Sequence, residues 1–237
     1  MRVHLMTYYY EKRMEWLLKP LKEARTDLVG YLGRRYGYRE ASGIYEDALG
    51  ECRNVIAALP DIGGDENPLT MALVGSAIGL GWYRVLKARG VPLEEAGKDI
   101  YVIFAILMPS LSLHAEPDIS RGEIAGTKEF CERTALREYP ENFVVDFVEG
   151  DDSCEYGMNV RECAVIKVFD RNGARELVPF MCILDRLIFS ARGVGLVRTS
   201  TLASGGTCCD FRVRSQPGTA LREPQSQRIL QDWEITG

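Results

Sequence analysis

The densest concentration of reactive side chains lies near the C-terminus, in Arg198-Thr199-Ser200-Thr201-Leu202-Ala203-Ser204-Gly205-Gly206-Thr207-Cys208-Cys209-Asp210-Phe211-Arg212. Two guanidiniums, a Cys-Cys pair, a carboxylate and a Gly-Gly turn share this stretch. Arginine forks bind carboxylates in two-pronged fashion. Backbone N–H groups of a glycine turn can cradle an anion. A thiol next to a proton acceptor can form a covalent intermediate. A second group lies just upstream. Cys182, Asp185, Arg186 and Phe189 stand at i, i+3, i+4 and i+7, which is one face of a helix. A thiol and a carboxylate one turn apart suit nucleophilic and acid–base work. The competing structural reading is that Cys182 fills core space and that Asp185 pairs with Arg186 or Arg198. Cys163 carries the same two readings. Glu155, before Tyr156-Gly157, is either a general base or a loop charge.

The elements that must position these groups begin with a β-hairpin. Two β-rich runs, Val194–Leu202 and Cys208–Arg214, flank the polar loop with Gly205 and Gly206. Pairing Leu202 with Cys208 sets Ser200 opposite Asp210 and Arg198 opposite Arg212. One face then carries Val197, Thr199, Thr201, Cys209, Phe211 and Val213, and the other carries Arg198, Ser200, Asp210 and Arg212. Opposed arginines repel, so this register calls for an anion between them, either Asp210 or a bound carboxylate. Otherwise the same residues form a solvated, screened face.

Composition narrows the classes. The chain has 237 residues, 46% hydrophobic and 27% charged, with a net charge of -5. It can bury a core, and without a basic stripe it is not expected to bind nucleic acid. The apolar runs Leu69–Trp82 and Tyr101–Leu113 are too short and too interrupted to span a bilayer, so no membrane association is expected. The N-terminus lacks a signal-peptide core. Seven cysteines, an odd number, then read as reduced thiols in the cytoplasm. Only His4 and His114 are available as imidazoles, and no C-x-x-C occurs, so neither a metal nor another cofactor is expected. A homo-oligomer is compatible with these numbers.

Periodicity makes the first half helical. One amphipathic run extends from Tyr8 to about Tyr36, a second from Ser42 to Pro60, a third from Asn67-Pro68 to Ala88, and a fourth from Pro92 to Pro109. Gly75, Gly79 and Gly81 lie inside the third, which indicates close helix packing rather than a nucleotide loop. Ser112–Thr127 reads as loop and Lys128–Glu138 as a short helix. Asn142–Glu149 reads as a strand, followed by helices at about Val160–Arg171 and Ala174–Ala191 and then the hairpin. This is an α+β chain: a helical N-terminal half, then an antiparallel sheet of at least three strands with two inserted helices. The expected organisation is a helical region 1–140, a strand-helix-helix-hairpin region 141–214 continuous with it, and a peripheral polar tail 215–237.

The pattern Tyr156-Gly157, Glu162-Cys163, Pro179, Cys182, Asp185, Gly195-Leu196, Arg198-Thr199, Thr201-Leu202-Ala203, Gly205-Gly206 and Cys209-Asp210-Phe211-Arg212 resembles the L-2-amino-thiazoline-4-carboxylic acid hydrolase family. The likeness covers about Asn142–Arg214, with Leu59-Pro60-Asp61-Ile62-Gly63-Gly64 compatible. It implies hydrolytic opening of a small cyclic isothiourea that bears a carboxylate, giving a carbamoyl product. On that reading Arg198 or Arg212 clamps the carboxylate, with Thr201, Gly205 and Gly206 in the binding loop. Asp185 or Asp210 activates water, or Cys182 or Cys209 attacks the amidine-like carbon. The alternatives are a non-catalytic carboxylate-binding protein and a cysteine-based metal or redox protein.

Overall fold

The computed structural model describes residues 2–111 and 119–234, with side chains from Tyr9 onward. His114 therefore lies outside the described residues, as does the side chain of His4. The chain forms two compact units. One comprises Met1–Gly64 and Leu69–Ser112, the other Asp65–Pro68 and Leu113–Gly237.

The first unit is helical. Its elements are α1 (Arg2–Leu17), α2 (Lys19–Glu23), α3 (Arg25–Tyr36), α4 (Tyr38–Ala57), α5 (Thr70–Ala88) and α6 (Leu93–Leu107). The single run expected up to Tyr36 is divided at Leu18 and Ala24, next to Pro20, whose nitrogen cannot donate. Helix α4 starts ahead of Ser42, at the left-handed Gly37 (φ +95°), because Gly37 breaks the chain there and Ser42 does not cap. The close packing expected of the third helix is present at Gly81. A Cβ there would sit 2.7 Å from the Cys52 backbone nitrogen, so α4 and α5 meet backbone to backbone. A buried polar knot also lies here: Asp99 accepts from Tyr31 (2.5 Å), Arg35 (3.1 Å) and Tyr36.

The second unit is α+β. Helix α7 (Arg121–Ala135) is followed by β1 (Val144–Asp151), β2 (Cys154–Glu162), α8 (Ala164–Arg171), α9 (Val178–Cys182), α10 (Asp185–Ala191), β3 (Gly195–Arg198), β4 (Cys209–Arg214), β5 (Gly218–Leu221) and α11 (Pro224–Asp232). Ser120 starts α7 earlier than expected, because its hydroxyl accepts the Glu123 N–H at 3.0 Å, an N-cap. The five strands run in the order β1-β2-β4-β3-β5. All pairings are antiparallel except β3 with β5, which makes the sheet mixed.

Three local expectations are corrected. Residues 154–162 form a strand that turns into helix only after Cys163. Cys154, Tyr156, Met158 and Val160 alternate with Glu155, Gly157, Asn159 and Arg161, the period of a strand with one covered face. The helix expected over Ala174–Ala191 is broken into α9 and α10. The polar tail is not peripheral, since it supplies β5 and α11, with Leu221, Ile229 and Trp233 buried.

The hairpin register also differs by one residue. Leu196 pairs with Val213 and Val197 with Arg212, so Arg198 does not face Arg212. Arg198 instead joins Cys209, Phe211 and Val213 on the inner face. That face packs its core from Tyr156, Phe189, Val194, Leu196, Val213 and Leu221. The segregation of charged from apolar side chains assumed in the sequence is absent, because Arg198 is buried with its own counter-charges.

Candidate functional site

Arg198 is the centre of the site and is only 1% exposed. Strand β3 holds its backbone, with its carbonyl accepting the Arg222 N–H at 2.7 Å. Burying a guanidinium is costly unless its N–H groups are bonded. Here Nε donates to Glu223 Oε1 at 3.1 Å, Nη2 donates to the same oxygen and to the Cys182 carbonyl at 3.1 Å, and Nη1 donates to Asp185 Oδ2. The Phe211 ring lies 5.4 Å beneath the guanidinium carbon. The anion that the arginine requires is thus supplied by the protein, from Asp185 and Glu223.

Around this arginine the fold gathers three thiols. Cys182 ends α9, Asp185 opens α10, Cys163 immediately precedes α8, and Cys209 lies on the inner face of β4. Each of the three thiols feels the charge of Asp185. They differ in their own bonding. The Cys163 side chain makes no cap bond, but it stands beside the first amides of α8, whose influence favours its charged form. The Cys209 sulfur takes the Leu202 N–H at 3.3 Å. Cys163 and Cys182 are partly exposed, whereas Cys209 is buried.

Burial sets the proton affinities. It holds the Cys182 thiol well above the ordinary thiol range, pushes Cys209 up to about 12, and raises Cys163 against the opposing pull of its two amides. It also raises Asp185 to about 6, because desolvation and the nearby Glu223 charge together exceed the pull of Arg198. Asp185 keeps 24% of its side chain open. A partly open carboxyl that exchanges its proton near neutrality, beside thiols that need a base, is suited to general acid–base work.

The remaining sequence candidates lie elsewhere. Asp210 and Arg212 point from the opposite face of β4. Asp210 accepts the N–H groups of Thr199 (2.8 Å) and Ser200 (2.7 Å) and locks the exit from β3. Arg212 bonds Asn159 Oδ1 at 3.1 Å. Thr201 is buried, and its hydroxyl accepts the Ser204 N–H at 3.1 Å, capping the turn before Gly205. The N–H groups of Gly205 and Gly206 are consumed by the Leu202 and Thr201 carbonyls inside that turn, so they form no anion nest. A Cβ on Gly206 would fall 2.0 Å from Ser200 Oγ, which requires a glycine there. Glu155 is exposed at the far end of β2, bonded by Ser215, five residues from the Val160 that pairs with Cys209. Glu223 was missed in the sequence. Its one local signal is Glu-Pro opening α11, which marks a helix start and says nothing of Arg198.

The second unit is thus an α+β fold with a thiol–carboxylate cluster beside a buried arginine, and the sequence of this region matches one family model. The family model of L-2-amino-thiazoline-4-carboxylic acid hydrolase aligns with residues 115–213, the family that the motifs resemble. The family's name is that of a hydrolase. The match includes Cys163, Cys182, Asp185, Arg198 and Cys209 and stops before Glu223. No curated protein and no solved structure matches the chain. Among the described residues, no group of three or more His, Cys, Asp and Glu side chains is arranged to hold a metal, and no helix is long and apolar enough to cross a membrane.

Proposed function

We propose that this protein is a hydrolase that opens a small cyclic isothiourea bearing a carboxylate, as the family name suggests, at the Cys163–Cys182–Asp185–Cys209 cluster. The observation that carries the reading is the convergence of Cys182, Asp185 and Cys209, from three separate elements, on one buried arginine, with Cys163 beside them in the field of Asp185. Packing alone would not need three thiols and a proton-exchanging carboxyl at one point.

Cys163 is the nucleophile in this proposal. It is partly exposed, and although burial raises its thiol, the first amides of α8 oppose that rise, and Asp185 can take its proton. Asp185 takes its proton. The sulfur attacks the amidine-like ring carbon, the ring C–S bond breaks, and the released sulfur takes the proton back from Asp185. Water, deprotonated by Asp185, then adds to the same carbon, the Cys163 sulfur leaves and takes that proton back from Asp185, the added hydroxyl gives its proton to the former ring nitrogen, and a carbamoyl product forms. One water is consumed per ring opened. Arg198 is a positioning residue, since its N–H groups already hold Asp185, Glu223 and the Cys182 carbonyl.

The test is incubation with L-2-amino-thiazoline-4-carboxylate and mass detection of the carbamoyl product. Turnover by the wild type, abolished in Cys163→Ser and retained in part by Cys182→Ser and Cys209→Ser, supports the proposal. Turnover unaffected by Cys163→Ser overturns Cys163 as the nucleophile, and turnover unaffected by all three serine variants assigns the attack to water. Saturable binding without ring opening overturns the hydrolase reading in favour of a binding protein.

A further inference from the structure

Two carboxylates share one buried guanidinium, and they are not equivalent. Glu223 Oε1 takes Arg198 Nε and Nη2 together with the Ser226 hydroxyl at 2.6 Å. Glu223 Oε2 is buried and has no hydrogen-bond partner. Asp185 has only Nη1 of the same arginine and remains partly open. The groups facing Asp185 are Arg198 from β3, Glu223 from the start of α11, Cys182 from α9, Cys163 from the start of α8 and Cys209 from β4. Arg198 is thus the cation of this set, and Glu223 competes for it. Glu223 also lies beyond the region matched by the family model.

We infer that Glu223 is a positioning residue of the thiol–carboxylate site: by taking most of the Arg198 guanidinium it leaves Asp185 under-compensated and so holds that carboxyl ready to exchange a proton beside the thiols. Placing the competing carboxylate on β5–α11 makes the C-terminal segment part of the site rather than a cover. The use of that proton in catalysis rests on the proposed hydrolase reading, but the sharing of Arg198 does not.

The experiment is carboxyl-carbon NMR titration of protein labelled at aspartate, with the Asp185 signal assigned by its loss in Asp185→Asn. It is run on wild type, Glu223→Asp and Glu223→Gln, and it needs no substrate. Glu223→Gln keeps an oxygen for Arg198 and Ser226 while removing the charge. The Asp185 midpoint is expected to fall by about one pH unit or more in Glu223→Gln and by less in Glu223→Asp, whose charge is drawn back by one carbon. An unchanged midpoint in Glu223→Gln overturns the inference. If Glu223→Gln does not fold, an unchanged midpoint in Glu223→Asp overturns it and a lowered one supports it. A shifted midpoint in a protein that opens no ring would sink the hydrolase proposal and leave this inference standing.

Discussion

At the scale of the residue, Asp185 has a consequence that can be measured without substrate. Its carboxyl titrates at about 6 in the fold against 3.8 ordinarily. Between these values the folded chain binds a proton that the unfolded chain has released, so stability falls as pH rises from about 4 to about 6 and is flat above. The difference is worth about 3 kcal/mol. Urea unfolding of wild type and Asp185→Asn across this range isolates it, because other carboxyls contribute equally to both. The variant should lack the fall, and equal slopes would mean that Asp185 is well compensated in the fold. The pairing of Asp185 with Arg198 was legible in the sequence as one of two structural options, from helix spacing and charge. The burial of Arg198 was not. It depends on Glu223, twenty-five positions away in the chain, and no local pattern connects the two.

At the scale of the element, the C-terminal segment carries what the sequence appeared to withhold. Gly218–Leu221 is a four-residue strand whose apolar content is too small to stand out from a polar stretch. It is specified by pairing with β3 rather than by its own propensity. Removing residues after Ser215 takes away β5, Glu223 and the Phe180–Trp233 stack, whose centroids are 5.8 Å apart. Breaking a buried charge pair costs about 3–5 kcal/mol, so the truncated chain should melt at least about 6 °C lower or fail to fold. An unchanged melting temperature would show that β5 and α11 are dispensable. Strand β2 is legible as the period-two alternation from Cys154 to Val160, a signal that competes with the helical spacing beginning at Val160. The register error has a similar cause. Segregating charged from apolar residues is a sound rule for an open face and fails where an arginine is buried with its counter-ions.

At the scale of the whole molecule, the change from helical periodicity to short β-rich runs was enough to give the α+β class, and the motifs were enough to point to the family whose model aligns with residues 115–213. The expected register divides the motif residues between two sheet faces but sets Arg198 with Asp210 and Arg212, whereas the observed pairing turns it to the other face. Cys209, Phe211 and Arg198 turn inward with Asp185, while Asp210 and Arg212 turn outward and stabilise the sheet. The proposed activity therefore depends on the inward set being a catalytic centre. The most direct measurement is kcat/KM for ring opening of L-2-amino-thiazoline-4-carboxylate at pH 7.5 by wild type and by Asp185→Asn, with circular dichroism confirming that both are folded. Loss of a general acid–base group predicts a fall of about 100-fold or more in the variant. A folded Asp185→Asn protein that opens the ring within a few-fold of the wild-type rate would contradict the account.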